Sequence, residues 1–122
     1  MKRLFPFLVF LGLALTACSE NPLKIYKGDW GGTYTGAKDF GRLDFFVDRE
    51  GALSGSLRSD TLTTGQINLT GKVDAVGGIL VTAEVAGQTY VFEGDLDKNR
   101  GSGTWKAQAD SSLSGTWRAS KF

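Results

Sequence analysis

From Gly28 onward, apolar residues recur at every second position in short runs separated by turn residues. The clearest run is Arg42-Leu43-Asp44-Phe45-Phe46-Val47-Asp48. Leu43, Phe45 and Val47 share one face; Arg42, Asp44 and Asp48 share the other. Strict alternation of this kind predicts a half-buried strand. Arg49-Glu50-Gly51 follows as a tight turn, with Gly where a hairpin calls for positive φ. The next strands place Leu53, Gly55 and Leu57 inside, then Ile67, Leu69, Gly71 and Val73, then Ile79, Val81, Ala83 and Val85. A sixth offers Tyr90, Phe92, Gly94 and Leu96, a seventh Gly103, Trp105 and Ala107, an eighth Leu113, Gly115, Trp117 and Ala119. A first strand carries Trp30, Gly32 and Tyr34. No helical period is sustained after Cys18.

Evenly spaced short strands joined by turns predict a sandwich or a barrel. Sequential hairpins and an even strand count favour an all-β, eight-stranded antiparallel up-and-down β-barrel (a meander) over residues 28–122. Closure would pair the last strand with the first and leave no sheet edge. The stretch Gly28-Asp29-Trp30-Gly31-Gly32-Thr33-Tyr34-Thr35-Gly36 is echoed in Gly101-Ser102-Gly103-Thr104-Trp105 and Leu113-Ser114-Gly115-Thr116-Trp117, and these copies hold all three Trp. Closure is expected to bring Trp30 near Trp117. Gly32, Gly55, Gly71, Gly94, Gly103 and Gly115 recur on the inner face. Such glycines let a small barrel bend, and they also leave room inside, for the large aromatics opposite them or for a ligand. The polar outer face is the reverse of a membrane-spanning barrel.

The chain ahead of the barrel has a different character. Met1-Lys2-Arg3 is basic, and Leu4 to Leu15 is almost wholly apolar, too short to span a bilayer but suited to a secretory leader. Leu15-Thr16-Ala17-Cys18 resembles the lipobox of bacterial lipoproteins. That resemblance implies a signal peptide over residues 1–17 and lipidation of Cys18 as the first mature residue. Several acyl chains give a stable anchor. In that family, a residue other than Asp after the Cys favours the outer membrane, so Ser19 implies an envelope lipoprotein there, facing the periplasm or cell surface. Residues 18–27 read as a lipidated tether, in which Leu23, Ile25 and Tyr26 either pack on the barrel floor or stay exposed.

Gly28-x-Trp30 at the head of a meander resembles the start of lipocalins and avidins. Gly51-Ala52-Leu53-Ser54-Gly55-Ser56 resembles the second hairpin of bacterial avidins, and Ser59 matches that family's Ser. The biotin site does not follow. Gly32 and Leu57 stand where the family has polar ligands, and the middle strands lack its binding Trp residues.

Composition narrows the chemistry. The 122 residues suit one small domain. The formal charge of +1 includes the leader's Lys2 and Arg3, so the mature chain is slightly acidic and carries no electrostatic footprint for nucleic acid. There is no His, and the one Cys is the lipidation site, so the usual nucleophile–base pairs cannot be built. Asp44 with Asp48, and Glu93 with Asp95, read as a solvated outer face. Asp95 to Gly101 partly matches a calcium loop, but Arg100 replaces the loop Gly and Lys106 the closing Glu, which favours a hairpin turn. No catalytic residue, metal or cofactor is expected.

Three readings remain open, one of them a filled barrel with a structural role only. The apolar inner face predicts a non-enzymatic lipoprotein holding an apolar small molecule or lipid in the barrel. Its lining would be Trp30, Tyr34, Phe45, Leu57, Leu69, Tyr90, Phe92, Trp105 and Trp117. The alternative is a protein-binding module, such as a hydrolase inhibitor or an envelope assembly accessory. The tether enters at one end of the barrel, so the longer polar loops at the other end would point away from the membrane. They would present Lys38, Asp39, Phe40, Asp60, Thr61, Thr64, Gln108 and Asp110 to a partner.

Overall fold

A computed structural model describes residues 22–61 and 65–122. Residues 1–17, read above as a leader, and Cys18 and Thr64 lie outside the described residues. A short 3₁₀ turn, Lys24–Tyr26, leads into eight strands. These are β1 (Gly28–Gly36), β2 (Gly41–Val47), β3 (Ala52–Ser59), β4 (Gln66–Val73), β5 (Gly78–Val85), β6 (Gln88–Leu96), β7 (Arg100–Ala107) and β8 (Asp110–Lys121). Each pairs antiparallel with its sequence neighbours, and β8 returns to β1, closing the barrel. The lipocalin- and avidin-like start is therefore followed by an architecture consistent with theirs.

Alternation is the reason these residues form these strands. In β2 every second residue from Gly41 to Val47 is buried and the residues between are exposed. Hairpin chemistry sets the ends. Asp48, Asp74 and Asp97 each turn a carboxylate oxygen back onto two backbone N–H groups of their own hairpin, at 2.8–3.1 Å. These Asx turns satisfy donors that the ladder leaves over. The backbone bonds hold the Asp97 carboxyl below the usual carboxylate range.

The six inner-face glycines have a role other than making space. A Cβ at Gly32, Gly55, Gly71, Gly94, Gly103 or Gly115 would fall 1.7–2.3 Å from a carbonyl oxygen of the adjacent strand. At these points the strands bend so sharply that backbone packs on backbone. The glycines consume interior volume. A larger side chain at Gly71 or Gly94 would push strands apart before it filled any cavity.

The seam between β1 and β8 also differs from the expected one. Its register sets Trp30 opposite Lys121 and Tyr34 opposite Trp117. Trp30 instead stacks on Phe45, its β2 neighbour, with centroids 5.9 Å apart and planes at 7°. All three indoles use their N–H on a backbone carbonyl: Trp30 on Tyr26, Trp105 on Thr35 and Trp117 on Glu93, at 2.9–3.0 Å.

The 3₁₀ turn seals the end at which the tether enters. Tyr26 is buried, Leu23 packs against the core, and Lys121 Nζ donates to the Ile25 carbonyl. Leu23 lies against Gly51 of the β2–β3 hairpin, and the Tyr26 hydroxyl lies beside Gly77 of the β4–β5 hairpin. Residues 23–26 thus span this end of the barrel. Of the two dispositions open in the sequence, Leu23 and Tyr26 take the packed one, while Ile25 stays exposed.

Candidate functional site: a carboxylate plug beneath an exposed rim

The opposite, distal end is built around Asp39. Strand β1 delivers Tyr34 inward, β3 ends on an inward Ser59, and β6 delivers Tyr90 inward. All three hydroxyls need acceptors when buried. The β1–β2 loop supplies one. Its Asp39 folds into the barrel mouth and is fully buried. Asp39 Oδ2 accepts from Tyr90 at 2.6 Å and from Tyr34 at 3.1 Å. Oδ1 accepts from Ser59 and from Thr61, both at 2.6 Å. Four neutral hydroxyls from four segments converge on one carboxylate, so its lone pairs are well used in a site that excludes solvent. Burial, with the Asp39 charge beside them, pushes the Tyr34 and Tyr90 hydroxyls well above the ordinary phenol value.

Below the carboxylate lies an aromatic layer. Trp105 stacks on Tyr90 at 4.9 Å, meets Tyr34 edge-on at 5.3 Å, and lies 6.2 Å from Phe92. All nine residues expected to line a ligand cavity are buried. They are core contacts, because they fill the barrel themselves. The interior space is a cavity of about 10 Å³ among residues such as Leu43, Leu69, Val81 and Phe92, no more than about one water-sized sphere. Of the two occupants left open for the interior, the aromatic side chains take the space. The aromatic rings occupy the space and the bent glycines narrow it.

The rim residues divide into two kinds. Asp39, expected on the outside, is at the centre of the plug. Phe40, the next residue, is 46% exposed. Its carbonyl accepts from Asp60 N at 2.8 Å, which ties the β1–β2 loop to the β3–β4 loop. Thr61 is exposed yet reaches in to Asp39. Lys38 Nζ donates to Ser112 Oγ at 3.2 Å, linking this loop to β8. Ser112 in turn donates to Asp110, whose carboxyl those bonds hold below its ordinary value. Gln108 is exposed, and its backbone N–H donates to Thr89. Lys38, Phe40, Asp60, Thr61 and Asp110 therefore belong to one hydrogen-bonded rim, and Gln108 stands beside it. Gln88, at the start of β6, has a buried side-chain oxygen without a partner among the described residues.

No protein-family model matches this chain, and a search of curated proteins finds no similar sequence. The site's chemistry rests on its own residues. The buried carboxylate touches neutral hydroxyls under a sealed surface. The accessible chemistry at this end is that of an aromatic residue in a polar, cross-braced ring of loops.

Proposed function

We propose that this chain is a lipid-anchored envelope lipoprotein that acts without catalysis, as a protein-binding module presenting its distal rim to a partner. Cys18 carries the anchor, and Ser19 directs the protein to the outer membrane. The observation that supports the rim is the pairing of Phe40 with Asp39. An exposed aromatic adjoins a residue fixed by four hydrogen bonds. Aromatic anchors that need no ordering on association contribute disproportionately to binding. A lipid or apolar molecule inside the barrel fits this reading less well, because the interior offers about 10 Å³.

The test uses the full lipidated chain in detergent as bait in an envelope extract of the source. Capture of a defined partner should fall at least ~10-fold with Phe40→Ala and with Asp60→Ala, and should be unchanged with Lys72→Ala, which is exposed on the barrel wall far from the rim. Native mass spectrometry of the same protein should give the mass of the chain with its acyl groups alone. A further lipid-sized mass lost on denaturation would return the function to the interior. Capture indifferent to Phe40 and Asp60 would remove the rim from the interaction.

A further inference from the structure

The large apolar side chains left exposed are unevenly placed. Six among the described residues are substantially exposed: Ile25, Phe40, Phe46, Val76, Leu80 and Phe122. Phe40 is on the distal rim. The other five lie at or within three residues of the tether end. Ile25 is in the 3₁₀ turn, Val76 is in the β4–β5 hairpin at 83% exposure, and Leu80 is the third residue of β5. Phe46 is one residue from the end of β2, and Phe122 follows β8, its backbone N–H donating to Asp29 at the start of β1. Scattered single apolar residues are ordinary on a surface, but a concentration at one end marks an interaction site.

The hairpin carboxylates at this end are solvent-accessible but held on their own turns. Asp48, Asp74 and Asp97 are each engaged by backbone N–H groups of their own turns. The outward positions beside them include Val76 and Lys98, and the 3₁₀ turn adds Lys24 next to Ile25. An apolar tip flanked by long cationic side chains suits the headgroup boundary of a bilayer, where Lys can extend into the headgroups while apolar groups enter the acyl region.

The occupant follows from chain length. Four residue steps lead from Cys18 to Pro22, the first described residue. Fully extended, they reach at most ~14 Å. A lipidated Cys18 sits at the membrane surface, so the tether end cannot leave the immediate neighbourhood of the headgroups. We infer that this end is a membrane-seating surface: Ile25 and Val76 dip into the lipid interface, Phe46 and Phe122 flank the contact, and the barrel stands with its distal rim directed away from the bilayer. This inference rests on lipidation of Cys18 and adds an orientation and a second point of contact.

The experiment uses the full lipidated protein in vesicles of phosphatidylethanolamine and phosphatidylglycerol containing spin-labelled lipid. An environment-sensitive fluorophore is placed at Lys98→Cys, on a neighbouring hairpin of the tether end, or at Phe40→Cys on the rim. Mass spectrometry of the N-terminal peptide is read first; an unacylated Cys18 overturns both the anchor and the seating. With Cys18 acylated, the probe at 98 should be quenched several-fold more than the probe at 40. Adding Ile25→Glu and Val76→Glu should cut quenching at 98 several-fold while the protein stays vesicle-bound through its acyl chains. Equal quenching at both positions, or quenching at 98 that the Glu substitutions leave unchanged, overturns the seating and leaves the anchor standing.

Discussion

The Tyr90 hydroxyl donates a 2.6 Å hydrogen bond to Asp39 Oδ2, joining β6 to a loop 51 residues earlier in the chain. This bond and its three companions turn a short surface connection into the lid of the barrel. A buried carboxylate is costly unless its lone pairs are used. Here the arrangement also supplies acceptors to hydroxyls that would otherwise be stranded.

Removing the acceptor should therefore cost more than removing one donor. Asp39→Ala leaves Tyr34, Tyr90 and Ser59 without their shared partner and should lower unfolding free energy by about 3 kcal/mol or more. Tyr90→Phe leaves Asp39 with three donors and should cost about 1–2 kcal/mol. Urea unfolding of each variant measures the difference. Equal costs would mean that the carboxylate is not the hub of the cluster.

The phenols give a pH signature of defined sign. Folded Tyr34 and Tyr90 hold their protons above the ordinary phenol value, chiefly because burial opposes the phenolate. In the unfolded chain they ionise near pH ~10. Above that pH the native state binds more protons than the unfolded state, so stability falls as pH rises and is complete below pH ~10. Ultraviolet titration should show the phenolate bands of these two residues emerging together with loss of tertiary circular dichroism. Their reversible ionisation in a folded protein near pH 10 would contradict the sealed plug.

Much of this architecture was legible because alternation is a local property. Leu43, Phe45 and Val47 point inward in the structure as their spacing requires, and Leu113, Trp117 and Ala119 do the same in β8. Register across the β1–β8 seam was not legible. It depends on how far strands shear when a barrel closes, and no short-range pattern encodes that. Hence Trp117 meets Tyr34 instead of Trp30. Glycine is legible as a sign of bending, whereas the space it leaves depends on how closely the neighbouring strand approaches. Asp39 looked like a solvated loop residue because its partners lie on β1, β3 and β6. A signal was present even so. Tyr34, Tyr90 and Ser59 all alternate inward toward one end, and three buried hydroxyls require an acceptor.

The glycine bends make a prediction by contrast. At Gly115 a methyl group would sit 1.7 Å from the Thr35 carbonyl oxygen, whereas at Gly65 nothing lies within 4 Å. Gly115→Ala should destabilise the barrel by about 2–3 kcal/mol or prevent folding, since overpacking against backbone cannot be relieved by a rotamer change. Gly65→Ala should stay within about 0.5 kcal/mol of the parent. Soluble yield and thermal midpoint report both. A Gly115→Ala protein with unchanged midpoint would show that the strands can separate there at little cost.

The residues ahead of β1 are expected to belong to the folded unit energetically as well as geometrically. Tyr26 is buried, and its carbonyl is the acceptor for the Trp30 indole N–H at 2.9 Å. A chain started at Gly28 would expose Trp30, leave that N–H unpaired and uncover the floor now closed by Leu23 and Tyr26. Loss of a buried aromatic contact costs about 3–5 kcal/mol in a core, and an orphaned indole donor adds about 1 kcal/mol or more. A chain started at Ser19 keeps all of these contacts. It should unfold cooperatively at a clearly higher urea midpoint than the Gly28 chain, with the Trp30→Phe variant of the longer chain falling between them. Matching midpoints for the two starts would make the preceding segment a passive tether. A large gap would make it the ninth structural element of the barrel, locked to the fold before β1 begins.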